Sequence, residues 1–141
     1  MVKYDKKKLQ VIVRQYQLAD VVVFGSQLNG FARPDSDLDV AVRFNNGLPH
    51  DKERGRIYAN LYVDLGAVFP NYKLDLVLID EAPLHFQYKI FTEGQLIFSD
   101  DMENSLNFQE RIFNLYRDQK YFIDEFFKGA LISISKWSKL I

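Results

Sequence analysis

The chain has 141 residues and a mass of 16.6 kDa, with 18 Lys and Arg against 19 Asp and Glu and no cysteine. This length suits a single domain over residues 1–141 that buries about two-thirds of its unfolded surface. The lack of cysteine excludes disulfides and thiolate metal sites, and no apolar run is as long as a membrane span. We therefore expect a cytoplasmic protein that does not bind a membrane. Its balanced charge argues against a nucleic-acid acceptor, which requires a basic footprint.

The hydrophobic pattern predicts helices and strands that alternate along the chain. In order, they are a helix over 5–17, a strand ending at Phe24, a helix after Ser26, a strand over 38–44, a helix over 51–69, a strand over 74–79, a helix from Pro83 to about Thr92, a short strand over 95–98 and a helical tail over 101–141. The fold class is therefore α/β (α+β), a small mixed β-sheet packed with helices. The segment that carries motifs spans about residues 20–98.

A Gly-Ser pair directly follows the first predicted strand. Gly25 and Ser26 come immediately after the apolar run that ends at Phe24. Backbone N–H groups at a turn from a strand into a helix point at an anion, which favours phosphate binding. A Ser between a strand and a helix most commonly serves as the N-cap of that helix, so Ser26 has a structural interpretation as well.

Two carboxylates begin the second predicted strand. Asp37 and Asp39 follow Ser26 after ten intervening residues. In a strand, residues i and i+2 face the same side, about 6.5 to 7 Å apart. Leu38 and Val40 face the other side, so two like charges lie together. Because adjacent carboxylates repel, a bound cation makes the arrangement tolerable, and we predict that both aspartates bind Mg²⁺.

A third carboxylate lies in the third predicted strand. Asp75 is flanked by Leu74 and Leu76 and is either a residue at the end of the strand or a third metal ligand. The ligand interpretation is favoured because an acid inside a core strand is costly unless it is paired or bound to a metal. Asp80 is interpreted instead as the cap of the helix that begins near Pro83, and it is left out of the site.

These residues carry a resemblance to a known family. The run from Gly25 to Asp39, with the later Leu74-Asp75-Leu76-Val77 and Ala82-Pro83, resembles the minimal nucleotidyltransferases of the DNA polymerase beta superfamily. Within that superfamily it is similar to the MntA-type antitoxins of toxin–antitoxin pairs. The matching segment covers roughly residues 21–98, about half of the chain.

The resemblance implies a polymerase-beta-like nucleotidyltransferase fold and a catalytic site. It implies that Gly25 and Ser26 bind the triphosphate of ATP, and that Asp75 helps to activate the attacking hydroxyl. It also implies two Mg²⁺ ions bound by Asp37, Asp39 and Asp75. Relatives often carry an Arg between the Ser and the next Gly, whereas this chain has Gln27, Leu28 and Asn29 there.

The implied activity is transfer of AMP from ATP to a tyrosine of a HEPN-domain RNase toxin of the HepT kind, which neutralises the toxin. The toxin is then the partner, in a hetero-oligomer with this chain. The small size of the chain leaves no room for a second domain that encloses an acceptor. Two alternatives stay open. One is a dimeric nucleotidyltransferase acting on small molecules such as aminoglycosides, and the other is a non-catalytic antitoxin that neutralises by binding.

The predicted helical tail is rich in aromatic residues. They are Phe108, Phe113, Tyr116, Tyr121, Phe122, Phe126, Phe127 and Trp137. Their spacing covers more than one narrow stripe of a helix, so a small domain has too little surface to cover them all. The tail is either an internal packing helix or one that also forms a protein interface, which aromatic enrichment slightly favours.

Overall fold

The computed structural model describes residues 2–25 and 37–140. The helices are α1 (Lys6–Gln15), α2 (Asp51–Val68), α3 (Leu84–Glu93) and α4 (Met102–Leu140), and the strands are β1 (Leu18–Phe24), β2 (Leu38–Phe44), β3 (Leu74–Leu78) and β4 (Gln95–Ser99). A 3₁₀-helix, Ile79–Glu81, directly follows β3. These elements confirm the predicted fold class. The helix predicted after Ser26 lies outside the described residues.

The strands form one mixed sheet in the order β3-β2-β1-β4. Strand β1 is antiparallel to both β2 and β4, whereas β2 is parallel to β3. Parallel neighbours need a crossover connection, and α2 supplies it between β2 and β3. As a result, β2 and β3 both begin at the same edge of the sheet.

Both faces of the sheet are covered by helices. Val21 and Val40 lie on the face that packs against α1 and α2. Their strand neighbours Val22 and Ala41 face the opposite side, where Ile90 of α3 packs against them. This division follows from the alternation of side chains along a strand. Because both faces are buried, the central strands consist almost entirely of apolar residues.

The prediction that Asp80 caps the following helix was wrong. Helix α3 has Pro83 at its N-cap position, and no side chain forms a capping hydrogen bond there. Asp80 lies instead in the 3₁₀-helix, half-buried, where its carboxylate accepts a hydrogen bond from the backbone N–H of Phe44. Burial raises the pKa of Asp80, although nearby Arg43 opposes the shift. The tight turn directly after β3 therefore directs this side chain back towards the sheet.

A buried ion pair joins the sheet to α4. Asp20 and Arg43 are partners in the β1–β2 ladder, and Arg43 Nε lies 2.7 Å from a carboxylate oxygen of Asp20, which is fully buried. Arg43 also donates a hydrogen bond of 2.8 Å to the side chain of Asn104. Its guanidinium lies 4.5 Å from the ring centroid of Phe108. The planar guanidinium thus binds two strands and the first turns of α4 at once.

Helix α4 is continuous for 39 residues, a length of about 58 Å. Its first half packs on the sheet and on α3, and it buries Ser105 and Ile112. Beyond Lys120 the described side chains are exposed except for the half-buried Ala130. Within residues 2–25 and 37–140, no helix combines the length and the apolar character needed to cross a membrane.

Removing the cation of the buried ion pair should destabilise the fold. We expect Arg43→Met to lower the free energy of unfolding by about 3 to 5 kcal/mol, because it leaves the carboxylate of Asp20 buried without its partner. Chemical denaturation measures this loss. As a control, Arg56→Met removes an exposed pair with Glu53 and should leave the free energy of unfolding nearly unchanged. Equal effects of the two substitutions would contradict a structural role for the Asp20–Arg43 pair.

Candidate functional site

The candidate site lies at the edge of the sheet where β1 ends and where β2 and β3 begin. Phe24, the last residue of β1, is the ladder partner of Asp39 in β2. Gly25 follows with a φ of +91°, a left-handed conformation that favours glycine. A Cβ atom at Gly25 would lie 1.9 Å from a carboxylate oxygen of Asp39. The absence of a side chain at this turn is therefore what lets the Asp39 carboxylate approach the backbone.

The parallel pairing of β2 with β3 brings two predicted acids together. Asp39 and Asp75 are direct partners in the ladder, and adjacent strands lie about 4.8 Å apart. When Asp39 is protonated, its carboxyl group can donate a hydrogen bond to the carboxylate of Asp75. The buried residues Leu38 and Val40 lie on the α1/α2 face, as the alternation of β2 predicts, so Asp39 lies on the opposite face.

The surroundings of Asp39 disfavour its charge. Burial, the charge of Asp75, the hydrogen bond to Asp75 and the charge of Asp37 raise the pKa of Asp39 from 3.8 to about 6, while Lys89 lowers it. Asp37 is half-buried and directly precedes β2. A cation bound near these oxygens would relieve the repulsion that raises the pKa.

The third acid is more accessible than its sequence context indicated. Asp75 is exposed, whereas Leu74 and Leu76 on either side are buried. Strand β3 is an outer strand of the described sheet, with a neighbour on one side only. This position leaves the carboxylate of Asp75 open to solvent and to a bound substrate. The cost of burial that favoured a ligand role for Asp75 therefore does not apply. Its position beside Asp39 is now the argument for that role.

Sequence reasoning missed Lys89. It is the only Lys or Arg in α3, and its positive charge acts on Asp39 across the face that α3 covers. A single cation on a short and largely apolar helix was the signal that could have identified it. Without the packing of α3 on β1 and β2, however, the sequence does not reveal which residues that cation faces.

The donor set fits Mg²⁺. This ion is typically bound in proteins by one or two carboxylates together with water and substrate phosphates. Asp39 and Asp75 form such a carboxylate pair, with Asp37 close enough to affect the pKa of Asp39. Among the described residues, no three His, Asp or Glu side chains are arranged closely enough to hold an ion. Ser26, the predicted phosphate-binding partner of Gly25, lies outside the described residues.

The profile of the family described as "Polymerase beta, Nucleotidyltransferase" matches residues 7–103. This match extends over more than half of the chain and includes the sheet edge with Gly25, Asp39 and Asp75. The chain belongs to the polymerase-beta nucleotidyltransferase family.

Solved toxin–antitoxin structures share the fold. A chain of one described as a toxin–antitoxin with AMP-PNP has a TM-score of 0.61 and 20% identity, with 86% of this chain and 97% of that chain covered. A tri-AMPylated HEPN toxin of Shewanella oneidensis in complex with an MNT antitoxin gives a TM-score of 0.57 and 19% identity over 84% and 92%. A toxin–antitoxin MntA-HepT structure gives 0.56 and 18% over 84% and 93%. No curated protein gives a significant match to the sequence.

The close approach at Gly25 gives a test with a matched control. Gly25→Ala should lower the free energy of unfolding because it adds a left-handed backbone strain of about 1 to 2 kcal/mol and also displaces the carboxylate of Asp39. Gly47→Ala adds strain alone, because Gly47 has a φ of +78° and open space around its Cα. Thermal or chemical denaturation should show the larger loss for Gly25→Ala. A loss no larger than that of Gly47→Ala would mean that the contact with Asp39 is not restrictive.

The raised pKa of Asp39 gives a stability that depends on pH. Between the ordinary pKa of 3.8 and about 6, the folded protein holds a proton that the unfolded chain has released. The contribution of this bound proton to the free energy of unfolding is therefore complete below a pH of 3.8 and is lost as the pH rises to about 6. Since Asp39 is only half-buried, we expect a fall on the order of 1 kcal/mol. Denaturation of the metal-free protein should show this fall in the difference between wild type and Asp39→Asn, and a flat or rising difference would contradict it.

Proposed function

We propose that this chain transfers AMP from Mg²⁺-ATP to a tyrosine hydroxyl of a HEPN-domain RNase toxin and thereby neutralises the toxin. The observation that carries the proposal is the pairing of Asp39 with Asp75 beside the left-handed turn at Gly25. Membership of the nucleotidyltransferase family supports the reaction class. The shared fold with toxin–antitoxin complexes supports a toxin as the acceptor.

In the proposed reaction, the tyrosine oxygen forms a bond to the α-phosphorus of ATP while the bond to the pyrophosphate oxygen breaks. Two Mg²⁺ ions, when bound, neutralise phosphate charge and stabilise the attacking and leaving oxygens of this in-line displacement. The residues of the chain mainly supply position and charge. The hydroxyl proton passes to Asp75, which is exposed at the edge strand and accessible to an acceptor that arrives from outside.

The roles of the other site residues follow from their positions. Asp37 and Asp39 would hold the metal. Because Gly25 has no side chain, the Asp39 carboxylate has room to lie against the turn that follows β1. We assign triphosphate binding to Gly25 and Ser26, because backbone N–H groups at a turn that follows a strand commonly bind phosphate.

Lys89 supplies a cation near the site, whereas the segment over residues 25–30 contains none. The segment has Gln27, Leu28 and Asn29 where relatives often carry an Arg. The charge of Lys89 acts on Asp39 from α3 and therefore lies near the place where phosphate would bind. We assign Lys89 the role of stabilising negative charge on the phosphates, which removes the main argument for a purely binding antitoxin.

The test is the intact mass of a HEPN-domain toxin after incubation with this protein, Mg²⁺ and ATP. We expect one or more added AMP units with wild type and none with Asp37→Asn/Asp39→Asn, because the variant keeps the shape of both side chains but loses their charge. Mass spectrometry with and without Mg²⁺ measures the gain and its dependence on the ion.

A matched control is Asp51→Asn/Glu53→Gln, which removes two exposed acids in the first turn of α2. It should modify the toxin at the wild-type rate. An unchanged toxin mass in a tight complex with wild type would instead mean neutralisation by binding. Consumption of ATP only in the presence of an aminoglycoside would favour the small-molecule alternative.

A further inference from the structure

The second half of α4 extends beyond the rest of the described structure with a broad apolar face. The exposed apolar side chains of one face are Phe122, Ile123, Phe126, Phe127, Ile134 and Trp137, and between 48% and 72% of each is exposed. A helical segment of about 20 residues is only marginally stable in water, and packing of an apolar face is what usually stabilises it. This face therefore requires an occupant.

The spacing of the face is that of a helix pair. Ile123, Phe127, Ala130, Ile134 and Trp137, hereafter the distal seam, follow one another in steps of four and three residues. This is the heptad pattern of two helices that pack along one another.

The same seam is already covered by a helix closer to the sheet. The heptad steps extend back to Tyr116 and Phe113, which contact Tyr88 of α3. The rings of Tyr88 and Tyr116 stack with centroids 4.0 Å apart, and those of Tyr88 and Phe113 meet edge to face at 5.6 Å. Because α4 runs antiparallel to α3, with Phe108 beside Phe91 and Tyr116 beside Tyr88, the distal seam continues this packed surface past the N-terminal end of α3.

The area of the face is that of a stable interface. Its four aromatic side chains expose 59% to 72% of their surface, and each offers roughly 200 Å² when fully exposed. With the two isoleucines, the face offers on the order of 700 Å² per chain, close to the roughly 800 Å² that each partner contributes to a standard interface.

The charges beside the seam select its occupant. Residues 118–125 contain three acids and one lysine, whereas residues 126–139 contain three lysines and no acid. Two copies of this segment in antiparallel orientation place the acidic start of each helix beside the basic end of the other. A parallel pair would align like charges instead. Ala130, next to Gly129, also leaves room for the large Phe127 ring of a second copy.

We propose that residues 121–139 pair with the same segment of a second copy of this chain, antiparallel, with Phe127 of each copy opposite Ala130 of the other. Ile123 of each copy then lies opposite Ile134. The pairing does not depend on the proposed nucleotidyl transfer, so either can fail without the other.

The first test is sedimentation of the full chain over a range of concentrations. The wild type should be a dimer. Ile134→Lys should raise the dissociation constant at least about a hundredfold, because it buries an unpaired charge in both halves of the interface. The matched control is Ile132→Lys, which changes a similarly exposed isoleucine about 200° further round the helix. It should change the dissociation constant by less than about threefold.

Two outcomes would overturn the proposal. One is a wild type that stays monomeric at high micromolar concentration. If Ile134→Lys then weakens binding to a protein of different sequence, that protein, and not a second copy of this chain, is the occupant of the face. The other is a dimer that both lysine substitutions affect equally. Circular dichroism confirms that each variant keeps the fold.

The second test fixes the orientation of the two helices. The chain has no cysteine, so introduced cysteines are the only thiols. Under oxidation, differently tagged chains carrying Ile123→Cys and Ile134→Cys should form a disulfide with each other. Ile134→Cys alone should not cross-link to itself, because 11 residues of helix separate the two positions by about 16 Å. Efficient self-linking of Ile134→Cys would indicate a parallel pair and refute the proposed arrangement.

Discussion

The parallel pairing of β2 with β3 is the constraint on which the candidate site depends. Parallel strands begin at the same edge of a sheet, so an acid at the start of each strand meets the other directly. An antiparallel pairing would place Asp39 and Asp75 at opposite edges. The end of β1 reaches the same edge because β1 runs antiparallel to β2, which brings Gly25 against Asp39. Thus one crossover, made by α2, assembles a turn and two carboxylates from three separate segments of the chain.

A buried ion pair attaches α4 to the sheet. A sheet buried on both faces leaves little place for a charge, yet Asp20 and Arg43 lie on its two central strands and pair with each other there. The guanidinium of Arg43 also reaches α4, where it donates a hydrogen bond to the side chain of Asn104 and lies over the ring of Phe108. A purely apolar contact would tolerate sliding of the helix, whereas a guanidinium with fixed hydrogen-bond directions does not. The ion pair therefore sets the direction in which the distal half of α4 leaves the sheet.

Local pattern predicted most of the fold, and contacts between distant segments account for what it missed. The apolar alternation of residues 38–44 predicted β2 with its correct bounds, and it also predicted that Asp39 lies opposite Leu38. The ladder pairing of Asp39 with Asp75 needed the sheet order, which no local pattern contains. Asp80 was misassigned for the same reason, because a capping pattern ignores the backbone of Phe44 that binds its carboxylate. Periodicity reports which side a residue faces but not what lies there.

The charges around Asp39 explain how metal and nucleotide would be coupled at such a site. Two neighbouring acids and partial burial disfavour the ionised form of Asp39, and Lys89 offsets only part of this effect. A magnesium ion alone gains one half-buried carboxylate, that of Asp39, and one exposed carboxylate, that of Asp75, which repel each other. A magnesium ion carried by a triphosphate brings phosphate oxygens that complete its coordination, as this ion prefers. The added phosphate charge would then lie near the cation of Lys89, whose charge acts on Asp39. The acid pair is therefore better suited to bind the complex of metal and nucleotide than to bind either component separately.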